Sequence, residues 1–257
     1  SWADEEAYFG WGMEASPNAM LPFTERGRLR LAAASLHPPG HPERSRLAAE
    51  AEEDFTRGLA IQPDEWVVTT VDRLQGNLGL ATALYYLGSV GVAEDAYRQI
   101  LDKWPTSFQA MHGLGTCLAE RGLAAVEEGN EEVGLDLLER ALVEQIGALE
   151  GAPDWAAALH AKGLVLARLG RSEEALPDLE RAAEKEPGNR GFVFDLAQAY
   201  WEAARIEDFE RLIAGYLAGE TDPQQRAAVR FQAGALELGR AEEQLQAGGD
   251  PAAAWSC

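Results

Sequence analysis

The chain has 257 residues, 46% of them hydrophobic, with 43 acidic side chains against 22 basic ones and a formal net charge of −21. Such a charge repels a phosphate backbone and an anionic lipid surface, which argues against nucleic acid and membrane surfaces as partners. Two cysteines, Cys117 and Cys257, make no disulfide framework, and no run of 18 apolar residues is present to span a bilayer.

Ala, Leu, Glu, Arg and Gly dominate and β-branched residues are scarce, a mix that favours helix. The chain opens Ser-Trp without a Met, which points to removal of a preceding segment. No signal-peptide pattern is visible. A soluble protein is expected, cytoplasmic in preference to exported, with the compartment otherwise open.

Residues 1–22 read as an N-terminal arm, a short helix or an extended stretch. Its aromatic residues Trp2, Tyr8, Phe9 and Trp11 are expected to lie on the first repeat. Phe23 to Leu36 reads as a helix starting near Thr24, stopped by the His37–Pro42 run HPPGHP. Glu43 to Ala60 is the return helix, with Leu47, Ala51, Phe55 and Leu59 recurring every four residues. Asp64 is an expected N-cap for a long helix from Trp66 to Leu87, ended by Gly88. Ala93, Tyr97 and Ile100 form the next stripe, closed by Trp104-Pro105.

Ser107 caps a third unit with an inner stripe of Met111, Leu114, Gly115 and Leu118. Its partner, Glu131 to Leu149, carries Leu135, Leu138, Ala141, Leu142 and Ile146. Pro105 and Pro153 stand 48 positions apart, so this hairpin is 14 residues longer than a 34-residue unit. About two additional turns on each helix absorb the excess, at about 3.6 residues per turn.

The clearest unit follows, Ala156 to Asn189. Leu159, Gly163, Leu166 and Leu169 make one helical stripe, Gly170-Arg171-Ser172 breaks it, and Ala175, Leu179 and Ala182 make another, closed by Pro187-Gly188. Residues 190–222 repeat the pattern through Leu196, Ala197 and Tyr200, with Phe209 where a small residue is expected. Pro223 opens a last helix, Gln224 to Ala247, read as an end cap that shields an apolar face from water.

This recurrence resembles the tetratricopeptide repeat. Gly163, Ala175 and Ala182 stand at that family's small positions, Leu179 at its bulky one and Pro187 at its closing proline. Leu166 replaces the family's aromatic, and Lys162 its usual leucine. Ala51, Phe55, Gly58 and Pro63 match in the first repeat, and Ala81 and Leu84 in the second. Small side chains are needed where antiparallel helices cross at about 8–10 Å. The resemblance covers about Leu29 to Pro223.

It implies an all-α fold: an α-solenoid, wound as a right-handed superhelix, of about five helix hairpins with a C-terminal capping helix. Within one repeat domain the units fall at 23–63, 64–107, 108–152, 153–189 and 190–222, with the cap and tail at 223–257. It also implies a concave groove lined by the first helix of each unit. Aligned by the small residue, the groove positions are Leu78, Thr82, Tyr85 and Tyr86; Gln109, His112, Thr116 and Glu120; His160, Leu164 and Arg168; and Phe194, Gln198, Trp201 and Glu202. The implied function is capture of a protein or peptide, with Tyr85, Tyr86, Phe194 and Trp201 supplying most of the contact. The Lys and Asn of the family's carboxylate clamp are replaced by His, Leu, Thr and Gln, so that mode is not expected.

No phosphate loop, dinucleotide fingerprint, GxSxG or HExxH stands in adequate context, so neither catalysis nor a cofactor is expected. His37 and His41 are separated by two prolines and a glycine and read as a solvated turn, not a metal site. His112 and His160 share a register in successive repeats, but equivalent helices about 10 Å apart disfavour a shared ion. Two rival readings stay open. In one, the aromatic arm packs into a neighbouring copy as a self-assembling scaffold. In the other, a pocket in the long hairpin gathers His112 and carboxylates into an enzyme site.

Overall fold

The computed structural model describes residues 2–15, 19–61 and 70–219, and single positions between 222 and 234. Apart from those single positions, the capping helix expected at 224–247 lies outside the described residues, as does the Asp64 cap. Among those described there are eleven helices and no strand: α1 (Trp2–Ala15), α2 (Met20–Ala34), α3 (Pro42–Ala60), α4 (Thr70–Tyr86), α5 (Val90–Lys103), α6 (Phe108–Glu127), α7 (Glu131–Gly151), α8 (Ala156–Arg168), α9 (Ser172–Lys185), α10 (Arg190–Glu202) and α11 (Ile206–Gly219). They form two compact units, Ser1–Asp154 and Trp155–Cys257.

In the first unit α2 pairs with α3, α4 with α5 and α6 with α7, and α4 also packs on α2 and α3. In the second, α8 pairs with α9 and α10 with α11, and α10 packs on α8 and α9. Each hairpin is thus a first helix and an antiparallel second helix, and there are five of them among the described residues. The third hairpin is the long one: α6 and α7 have 20 and 21 residues, against 13 and 14 in α8 and α9. Two members of its expected stripe do not face inward. Leu138, Ala141 and Leu142 are buried, whereas Leu135 and Ile146 are exposed.

Four hairpin turns share one device. Gly88, Gly129, Gly170 and Ala204 all take the left-handed conformation just past a first helix. In each case the next amide closes a ring on the helix, as in Ser89 N–H to the Leu84 carbonyl at 3.0 Å and Arg171 N–H to the Leu166 carbonyl at 2.9 Å. Glycine enters that region freely, whereas Ala204 carries a penalty of about 1 kcal/mol there. At the opposite ends, the Ser107 hydroxyl accepts the Ala110 amide at 3.3 Å. His41 Nδ1 accepts the Glu43 amide at 3.2 Å, with its ring stacked on His37 at 4.7 Å.

The small residues at the crossings are buried as the pattern requires: Ala51, Ala81, Ala93, Ala175, Ala182 and Ala197 have no exposed surface. At Gly163 an added Cβ would lie 2.6 Å from Leu179. The large residue of each second helix fills the gap so created. The Phe55 ring is clasped between Gly27 of α2 and Gly79 of α4, and the Tyr97 ring lies on Gly113 of α6. Phe209, standing at a position expected to be small, is buried against the ring of Trp201, with centroids 5.0 Å apart.

Two expectations are corrected. The helix predicted from Phe23 begins at Met20, which is buried against Gly76 of α4. The arm is a helix despite Gly10 and Gly12, but its aromatics do not all cover the first repeat. Tyr8 is 66% exposed and Trp11 65%.

Candidate functional site

In the first unit the site positions lie on α4 and α6. Leu78 is turned into the core and offers nothing to a surface. The Thr82 hydroxyl donates to the Leu78 carbonyl at 2.9 Å and lies 3.0 Å from the Tyr97 hydroxyl, tying α4 to α5. Tyr85 and Tyr86 are half-buried, with ring centroids 6.1 Å apart. The Arg44 guanidinium of α3 lies over the Tyr86 ring, 4.1 Å from its centroid. Burial, together with a hydrogen bond to the Glu120 carboxylate, holds the Tyr85 phenol well above its ordinary pKa.

On α6, Gln109 is half-buried and Glu120 is too exposed to belong to the core. His112 Nδ1 lies 2.9 Å from Gln145 Oε1, and Gln145 Nε2 donates to the His112 carbonyl at 3.2 Å. The Thr116 hydroxyl donates to the same carbonyl at 2.9 Å. Gln145 is fully buried, so His112 is braced against α7. The nearby Cys117 thiol is pushed up to about 12 by burial and by the charges of Glu94 and Glu120, which leaves it protonated and inert near neutrality.

In the second unit the positions lie on α8 and α10. His160 Nε2 is 2.7 Å from Asp195 Oδ2, and its ring stacks on Phe192 at 4.2 Å. Leu164 and Arg168 of α8 face Asp195, Gln198 and Glu202 of α10 across a cleft of 30 Å³. Gln198 Nε2 donates to Glu202 Oε1 at 2.8 Å. Phe194 is half-buried, and so is Trp201, whose ring is partly spent on Phe209.

Each unit therefore gathers its own share of the site residues on its first helices. Sequence reasoning missed Arg44, Gln145 and Asp195, because each acts on a site residue across a helix pair and no spacing signals it. It also missed a wider cleft of 710 Å³ on the side of the second helices, walled by α9, α10 and α11. Among the described residues no group of three or more His, Cys, Asp or Glu is placed to hold a metal, and no helix is long and apolar enough to cross a membrane.

Two tetratricopeptide repeat family models match the chain, one over residues 78–142 and one over 166–230. Over 175 residues, 65% of the chain, the sequence is 26% identical to tetratricopeptide repeat protein 13 of Homo sapiens, and that stretch spans 19% of the human protein's length. The fold is similar to a thermophilic TPR protein of Thermus thermophilus, with a TM-score of 0.63 at 20% identity, covering 84% of this chain and 99% of that one. It is also similar to the yeast Tom70, with a TM-score of 0.59 at 16% identity, covering 91% of this chain and 43% of that one. Hairpins, small-residue crossings and matches in both units agree: the chain is an all-α helical-repeat solenoid and belongs to the tetratricopeptide repeat family.

Proposed function

We propose that the chain is a scaffold without catalytic activity that binds a protein or peptide segment on its first-helix faces. The observation that carries this reading is the half-exposed tyrosine pair of α4, held from both sides by Arg44 and Glu120. A tyrosine fixed in place offers a large contact area with little further loss of entropy on binding. Beside it, Gln109, His112 and Thr116 offer hydrogen bonds, and α8 and α10 offer Leu164, Arg168, Phe194, Gln198 and Trp201. On α8 and α10 the carboxylates of Asp195 and Glu202 outnumber the Arg168 guanidinium. The favoured partner segment carries apolar and basic side chains.

The test is selection of random 12-residue peptides on the immobilised chain, followed by calorimetric titration of the selected peptides. Alanine at Tyr85, Tyr86, Phe194 or Trp201 is expected to weaken binding about tenfold or more at the positions that dominate. Undiminished affinity in all four variants, with circular dichroism unchanged, sinks the reading.

A second reading is self-association through α1, favoured by its exposed Tyr8 and Trp11, with Leu21 exposed at the start of α2. Sedimentation velocity is expected to show concentration-dependent association that a Tyr8→Ser/Trp11→Ser variant loses. A wild-type chain that stays monomeric throughout rules it out.

A further inference from the structure

We propose that the cleft walled by α9, α10 and α11 is a second docking site, and that it takes a cationic amphipathic helix. The site belongs to the second unit and lies on the side away from the α8–α10 cleft, so it is separate from the surface assigned above.

Shape comes first. The cleft holds 710 Å³; Val193, Leu196 and Ala183 are buried beneath it, and the apolar surface it presents is that of half-buried Leu212 and Tyr216. It follows α11 from Asp208 to Gly219, a run of about 16 Å at about 1.5 Å per residue. That length suits about three turns of a docked helix. Gly215 and Gly219 line the same wall one turn apart, and a Cβ built at either meets nothing within 4 Å among the described residues. The wall is therefore open backbone, against which another helix can approach to about 8 Å. Among the described residues there is no sheet edge to receive a strand, so helix-in-groove docking is the mode that fits.

Charge then selects the partner. The charged residues of the lining are Glu180, Glu184, Asp208 and Arg211. Asp208 lies between Arg205 and Arg211, which hold its carboxyl below the usual carboxylate range. Glu180 accepts the Tyr200 hydroxyl at 2.7 Å. Glu184 is left exposed at the end of the cleft where α9 and α11 both terminate, at Lys185 and Gly219. Glu184 and Glu186 outnumber Lys185 there, and the carbonyl ends of α9 and α11 add to the negative character of that end. A lysine or arginine of the incoming helix belongs there, with its apolar face on Leu212 and Tyr216.

The probe is a fluorescein-labelled 14-residue helix of Leu and Lys, read by anisotropy against the full chain, with a Leu/Glu helix of the same pattern as control. The Leu/Lys helix is expected to bind with 1:1 stoichiometry. Gly215→Phe fills the cleft from a position with free space and is expected to weaken binding at least tenfold with circular dichroism unchanged. Glu184→Lys is expected to weaken it about fivefold at low salt, and less at high salt. Val133→Phe adds similar bulk on exposed α7 and is expected to change nothing. Equal affinity in wild type and both cleft variants would mean diffuse attraction to an acidic surface and overturns the proposal. So does equal binding of the Leu/Glu helix, absence of binding, or self-association of the chain that Gly215→Phe abolishes. The four alanine variants of the first-helix faces read the other surface, so the two sites fail or stand separately.

Discussion

Gly79→Ala is expected to destabilise the chain by about 2 kcal/mol in urea unfolding, although alanine in a helix interior is by itself favourable by about 1 kcal/mol. The reason is the Phe55 ring. A Cβ at position 79 would stand 2.2 Å from Phe55 Cζ and 2.3 Å from Cε1, well inside van der Waals contact. The ring has no exposed surface into which to swing, and on its far side Gly27 leaves it just as little room, with an added Cβ 2.9 Å from the same ring. Relief must come from moving α4 away from α3, which opens the crossing that Ala51, Phe55 and Ala83 share. Phe55→Leu alone forfeits ring contacts; in the Gly79→Ala background it is expected to recover part of the loss, giving a favourable coupling in a double-mutant cycle. A Gly79→Ala chain as stable as wild type, or strictly additive losses, would show that the slot is not filled as described. Gly113 faces the Tyr97 ring in the same register, at 2.3 Å from Cζ, so Gly113→Ala repeats the experiment one hairpin later.

That slot shows where the sequence was legible and where it was not. The stripes, the glycine turns and the 34-residue recurrence are local patterns. They gave the helices and their pairing into hairpins before any coordinates. Gly79 and Gly113 are different: each answers an aromatic in the preceding hairpin, and nothing adjacent to either announces it. The same holds for Met20, which extends α2 beyond its predicted start because it has Gly76 to pack on. The register placed the site residues on their helix faces. It could not tell that Leu78 turns inward, that Trp201 is held by Phe209, or that His112 leans on Gln145. Those are consequences of what sits across the helix pair. The cleft on the α9–α11 side was invisible for a further reason: Gly215 and Gly219 leave space, and space has no period.

The strongest polar contribution is expected at Asp54. Its carboxylate is only 1% exposed, and it receives Arg26 through Nε at 2.9 Å and Nη2 at 2.6 Å, and Arg30 through Nη1 at 2.7 Å. The two guanidiniums are 19% and 12% exposed, so they too have lost most of their water. Asp54→Ala removes the buried carboxylate that two largely desolvated guanidiniums share, and a loss of about 3 kcal/mol is expected, the low end for a broken buried pair. It sits at the low end because Arg30 keeps Glu50, with its Nε 3.3 Å from Oε2. Glu94 is the internal comparison. It is equally buried and is also held by two arginines, Arg98 and Arg121, but those are 42% and 47% exposed. Removing Glu94 returns two arginines to water instead of trapping them, and its loss is expected to cost under about 1 kcal/mol. Urea unfolding of Asp54→Ala and Glu94→Ala side by side measures the difference. If the two cost the same, what matters is the buried carboxylate and not the desolvation of its partners. If Asp54→Ala costs more, replacing Arg26, Arg30 and Asp54 together by Met and Leu is expected to restore most of the lost stability, since the desolvated guanidiniums then leave together with their carboxylate.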